Sequence, residues 1–115
     1  MDTGNSELDE IVQSAQMVLG SLSISVSKKP TSSILYELAQ HLNAYAKSQG
    51  YTYTTDVYHD SLVVLTARLR SGGTFAAYEL RGVPLRGNSI VISKKIGSDM
   101  NILAGYLQSI QPKTQ

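Results

Sequence analysis

Residues 51–93 constrain this chain more than any other stretch. Four runs, YTYTTDVY, SLVVLTARL, TFAAYELR and SIVIS, follow one another with only HD, SGG and RGVPLRGN between them. Tyr51, Tyr53 and Val57 alternate with Thr52, Thr54 and Asp56; Val63, Leu65, Ala67 and Leu69 alternate with Leu62, Val64, Thr66, Arg68 and Arg70. A period of two in β-branched and aromatic residues is the pattern of a half-buried strand. Gly72 and Gly73 supply the positive φ that a tight hairpin needs. Connections this short join antiparallel neighbours, because parallel strands need a long crossover.

Helical periodicity flanks this core on both sides. Upstream, Ile34, Leu35, Leu38, Leu42, Tyr45 and Ala46 share a stripe, Thr31, Ser32 and Ser33 offer N-caps, and Gly50 suits a left-handed C-terminal position. Downstream, Ser98 can cap a helix in which Met100, Leu103, Leu107 and Ile110 share a face, and Pro112 ends it. Near the N-terminus, Ser6 to Asp9 resembles a capping box, and Leu8, Ile11, Ala15, Val18 and Leu22 recur at helical spacing. This predicts a helix over 7–21. Residues 22–26 then alternate briefly, as an edge strand or linker. The expected fold class is α+β: a single antiparallel sheet of three to five strands packed against two or three helices, with the N-terminal amphipathic helix added. One domain over 6–111 is expected, between a disordered 1–5 and a tail at 112–115.

Composition removes several classes of function. The 115 residues include no cysteine, which excludes a disulfide scaffold, thiol catalysis and cysteine-bound zinc. No apolar run has the length of a membrane span, and no signal peptide is visible, so an intracellular, cytoplasmic chain without a membrane partner is expected. Charge is uneven. Residues 1–27 hold four acids and no Lys or Arg, whereas residues 28–115 hold ten Lys/Arg against five acids, a net of +5. A modestly basic body suits either an ordinary solvated surface or contact with nucleic acid.

No catalytic constellation emerges. His41 lies beside an apolar helical stripe, where packing at the core edge is the expected role. His59 sits in a turn with Asp60, near Asp56, without further ligands at metal-site spacing. Glu79-Leu80-Arg81 has an arginine where a metal-dependent nuclease would place a lysine, and arginine does not lose its proton, so a cross-strand ion pair is expected. Neither a Walker loop nor GxGxxG occurs. The chain is therefore expected to be non-enzymatic, with no metal, no cofactor and no small-molecule substrate.

Three features in order resemble a double-stranded-RNA-binding domain. Residues 33–39, SILYELA, resemble that family's first helix. His59 follows Glu37 by 22 residues, and Ser93-Lys94-Lys95 looks like the Ser-Lys-Lys that opens the family's last helix. Between them, LTARLRSGGTFAAYELRG looks like its hairpin. The resemblance implies that Glu37 accepts hydrogen bonds from 2′-hydroxyls, that His59 enters a minor groove and that Lys94 and Lys95 bind phosphates at a helix start. Arg68, Arg70, Arg81 and Arg86 would add positive charge on or near that face. A-form RNA, with its shallow minor groove, is read this way by shape and polar contacts. The alternative expectation is a protein-interaction module, self-associating as a homodimer or larger assembly. It rests on the low net charge, the apolar end (Leu62, Val64) of the second face of the central strand, and the added N-terminal helix.

Overall fold

A computed structural model describes residues 6–59, 62–69, 75–83, 87–97 and 101–110. In chain order the elements are α1 (Ser6–Ile11), β1 (Val12–Val18), β2 (Ser21–Val26), α2 (Ser32–Ser48), β3 (Tyr51–His59), β4 (Leu62–Leu69), β5 (Phe75–Val83), β6 (Asn88–Gly97) and α3 (Asn101–Ile110). The strands form one antiparallel sheet in the order β1-β2-β6-β5-β4-β3. The class is α+β with a single antiparallel sheet, as expected, but the sheet has six strands rather than three to five. Among the described residues no helix is long and apolar enough to cross a membrane.

The strand beyond the expected number, β1, comes from the N-terminal segment. The helix predicted over 7–21 stops at Ile11, and Val12–Val18 pairs with β2 instead. A bulge between Val12 and Ser14 shifts the register by one residue. As a result Val12 and Ala15, three apart, both pack against the core, and Met17 follows two later. The stripe read over 7–21 instead joins residues of three elements, Leu8 and Ile11 of α1, Ala15 and Val18 of β1 and Leu22 of β2, and Val18 is exposed. Residues 22–26 belong to an interior strand paired on both sides, not an edge strand or linker. The link between β1 and β2 is the two-residue turn Leu19-Gly20, with φ of 51° and 81°, the double positive φ of a type I′ hairpin.

All three helices contribute to one core on one face of the sheet. Leu22, Ile24, Val26, Val63, Leu65, Tyr78, Leu80, Ile90 and Ile92 meet Leu8 and Ile11 of α1, Ile34, Leu35, Leu38 and Leu42 of α2, and Ile102, Leu103, Tyr106 and Ile110 of α3. Thr31 caps α2, its hydroxyl accepting from the Ile34 amide at 3.2 Å, and Gly50 takes φ 93° just past the helix end. Pro30 is buried against Gly82, where a Cβ would come within 3.1 Å of the proline ring. Glycine there lets the start of α2 lie directly on β5.

The last helix differs in detail from its expected face. Tyr106 is fully buried, whereas Leu107 is only half-buried. The phenol is accommodated because its hydroxyl lies 2.6 Å from His41 Nδ1 in a hydrogen bond between α3 and α2. Burial pushes the Tyr106 pKa well above the usual tyrosine range. His41 thus packs at the core edge. The expected cap Ser98 and Met100 lie outside the described residues.

Candidate nucleic-acid interface

Alternation sends every second strand residue to the face opposite the helices. Since Leu22, Ile24 and Val26 are in the core, Ser21, Ser23 and Ser25 of β2 project from the other face, as do Ser89, Val91 and Ser93 of β6. Val64 and Ala77 are buried outside the helix-side core, at the centre of this second face. The sheet then divides by charge. Residues 12–29 and 87–97, which supply β1, β2, β6 and the turn after β2, contain no Asp or Glu. They contain Lys28, Lys29, Lys94 and Lys95, all exposed.

The remaining strands mix signs. Glu79 and Arg81 approach to 3.7 Å along β5, so their pairing runs within one strand rather than across two. Asp56 is exposed on β3 and Arg68 on β4. An ion pair this exposed contributes little to stability, but it cancels local field.

The predicted site residues are dispersed. Lys94 and Lys95 lie inside β6, not at the opening of a helix, which corrects that expectation: Ser93 continues the ladder opposite Glu79, and Lys94 stands opposite Tyr78. The register slips between Tyr78 and Ala77, so Lys95 is the bulged residue before Ile96. His59 is the last residue of β3, opposite Leu62, rather than part of a turn. Leu62 in turn stands opposite Arg81, so His59 and Arg81 share one end of the sheet. Arg68, opposite Phe75, lies at the other end, with Lys95 and Ile96. Glu37 lies on α2, half-buried, and its shielded Oε2 has no hydrogen-bond partner among the described residues. It lines a shallow concavity of about 420 Å³ with Ser32, Ser33 and Tyr36. Arg70, Arg86 and Asp60 lie outside the described residues.

Sequence reasoning passed over two features. Lys28 and Lys29 were legible as cations, but nothing in the linear order shows that they follow a strand paired with β6. Leu19 is fully exposed in a left-handed conformation, and Val18 and Ile96 are also exposed. Because Leu22 pairs with Ile92, the hairpin tip and the end of β6 project from the same end of the sheet. That end therefore joins an apolar tip to Lys94 and Lys95. Gly20, next to a predicted strand, was the available signal for the turn.

Elsewhere the chemistry is sparse. Among the described residues no group of three or more His, Cys, Asp or Glu is arranged to hold a metal. An open concavity of about 430 Å³ between α2 and β3 is lined by Gln40, Asn43, Ala44, Lys47, Thr52 and Tyr53. Asn43 Nδ2 donates to Thr55 Oγ1 at 2.7 Å there, which ties the helix to the strand. No base in that lining is paired with a nucleophile. Comparison with protein-family models, with curated proteins and with solved structures gave no match.

Proposed function

We propose that this chain is a non-enzymatic RNA-binding module that holds structured RNA by shape and phosphate contacts. One observation carries the reading: β1, β2, β6 and the turn after β2 contain not a single Asp or Glu, and the turn and β6 bear four exposed lysines. Cations gathered on strands that bring no acid of their own raise the local potential, and each phosphate they neutralise releases condensed counterions. The serine hydroxyls of β2 and β6 add donors and acceptors suited to phosphate and ribose oxygens. On this reading the contacts come from the β1–β2–β6 side of the sheet, with Lys94 and Lys95 acting from a strand. Glu37 and His59 have no assigned contact in it.

The test is fluorescence anisotropy with a labelled RNA duplex longer than about 16 base pairs, the length a shape-reading domain spans. Binding that weakens with salt, and weakens further in Lys94→Ala/Lys95→Ala, is the expected result. Absence of binding at micromolar protein would remove the proposal.

A second reading, an assembly module, is favoured by the exposed Val18, Leu19 and Ile96 at one end of the sheet. Apolar side chains gathered into one exposed patch mark a protein contact, whereas single exposed ones are ordinary. Light scattering across a concentration series tests it: a mass above one chain that falls to one chain in Leu19→Asn supports assembly, and a single-chain mass throughout rejects it.

A further inference from the structure

Resting on the assembly reading, we infer that two copies of this chain dock reciprocally, the Leu19 tip and Lys94 of each seated on the Tyr36–Glu37 concavity of the other. Two anomalies in separate parts of the molecule motivate it. Leu19 takes φ 51° in the turn after β1, where Asn or Gly fits better, and leaves its whole side chain in water. The core gains nothing from leucine there. Glu37, near the start of α2, is half-buried, and its shielded Oε2 lacks a hydrogen-bond partner among the described residues. A carboxylate oxygen withdrawn from water without a donor is costly.

Each anomaly has what the other lacks. Two residues beyond the Leu22–Ile92 pair the strands reach Gly20 and Lys94, so an exposed ammonium stands beside the leucine tip. Lys94 is opposite Tyr78, a core residue, and so projects from the side of the sheet that bears the helices. Glu37 adjoins Tyr36, whose ring is 41% exposed, and both line the concavity of about 420 Å³ with Ser32 and Ser33. An apolar knob with a cation thus has an aromatic hollow with an anion to meet, complementary in shape and charge. Leu19 is fully exposed, so it does not touch the hollow of its own chain. The fold keeps the two apart: Pro30, just before α2, lies on Gly82, which stands opposite Ile90. The four steps from Ile90 to Lys94 cover about 13 Å at roughly 3.3 Å per residue. Two copies running antiparallel satisfy both contacts at once about a two-fold axis, each residue pair occurring twice.

Analytical ultracentrifugation of the full chain tests this directly. The expected wild-type species contains two chains, and Leu19→Asp or Glu37→Lys alone should weaken association about tenfold or more, as loss of a central contact does. Mixing those two variants should restore a two-chain species, because the Glu37→Lys copy still offers its tip to the intact hollow of the Leu19→Asp copy. Lys94→Glu combined with Glu37→Lys exchanges the charges and should recover association lost in Glu37→Lys. Tyr36→Ala removes a wall of the hollow from an exposed position and serves as a second probe of it. Circular dichroism of each variant confirms that the fold is retained.

A two-chain mass that neither Glu37→Lys nor Tyr36→Ala lowers, or variants that fail to complement on mixing, overturns the reciprocal docking and leaves the assembly reading standing. A wild-type mass of one chain at every concentration overturns both together.

Discussion

The β1–β2–β6 half of the sheet and the β5–β4–β3 half share one core but present unlike surfaces. On the core side both bury aliphatic residues, Ile24 and Ile92 in the former, Leu65 and Leu80 in the latter. On the outer side the β5–β4–β3 half carries both signs of charge, with Glu79 beside Arg81 and Asp56 on β3. The β1–β2–β6 half carries serines and brings no acid from its own strands, although Glu79 of β5 stands opposite Ser93, and its hairpin turn exposes a leucine. Core packing demands neither pattern, so the difference is free to reflect what each surface meets. The proposed RNA contact rests on the β1–β2–β6 side, whose strands bring no acid of their own and whose hairpin tip, Leu19, is exposed.

The largest expected effect tests whether the two halves are equal partners in the core. Ile24→Ala and Leu65→Ala should each lower unfolding free energy by about 2–5 kcal/mol, the range for truncating a fully buried aliphatic side chain. Urea denaturation followed by circular dichroism measures both. A loss near zero for Ile24→Ala would mean that β2 is the peripheral segment its sequence suggested.

Smaller effects come from the junction between α2 and α3. Tyr106→Phe should cost about 0.5–1.5 kcal/mol, the net worth of its hydrogen bond to His41. The same residue sets an alkaline limit. Its folded pKa is raised by burial, so above about pH 10, where the unfolded phenol ionises, the native state retains a proton that the unfolded state has lost. By linkage, stability then falls as pH rises. The wild-type chain should therefore lose stability above about pH 10, and Tyr106→Phe should lose less over the same interval. Parallel thermal melts at pH values of about 8 and about 11, on either side of the unfolded tyrosine pKa, distinguish the two.

Leu19 should respond in the opposite direction. A β-hairpin position with φ of 51° suits Asn or Gly, and leucine there buries nothing. Leu19→Asn should raise stability by about 1 kcal/mol, a strain of the order expected for a non-glycine residue in this region. A destabilised variant would show that the side chain is covered in solution. The smallest expected change in stability is for Lys94→Ala/Lys95→Ala, within about 0.5 kcal/mol, since both side chains are exposed. Any loss of RNA binding in that variant is then a surface effect and not unfolding.

Reading the linear order served the two halves unequally. Across β3, β4 and β5, alternation over residues 51–56, 62–68 and 76–80 was correct in type, as was the helical stripe from Ile34 to Ala46, while β5 continues to Val83 where a connection was expected. Their periods are uninterrupted, so each side chain's direction follows from its place in the run. In the N-terminal hairpin, apolar residues of α1, β1 and β2 happened to recur at steps of three and four, and β1 read as helix. The candidate site failed for a related reason. Ser93-Lys94-Lys95 continues a strand because β5 is there to pair with it, and a short polar motif does not reveal its hydrogen-bonding neighbour.

From the residues alone came the α+β class, the antiparallel connection of the central strands and the cap and stripe of α2. These follow from steric and hydrophobic preferences acting over a few neighbouring positions. The six-stranded sheet, the interior place of β2 and the meeting of residues 12–29 with 87–97 required the folded chain. Backbone pairing between segments far apart in the chain, as of Leu22 with Ile92, decides them. The same pairing accumulates lysine without carboxylate on one side of the sheet. Charge is a property of residues, but potential is a property of where the fold puts them.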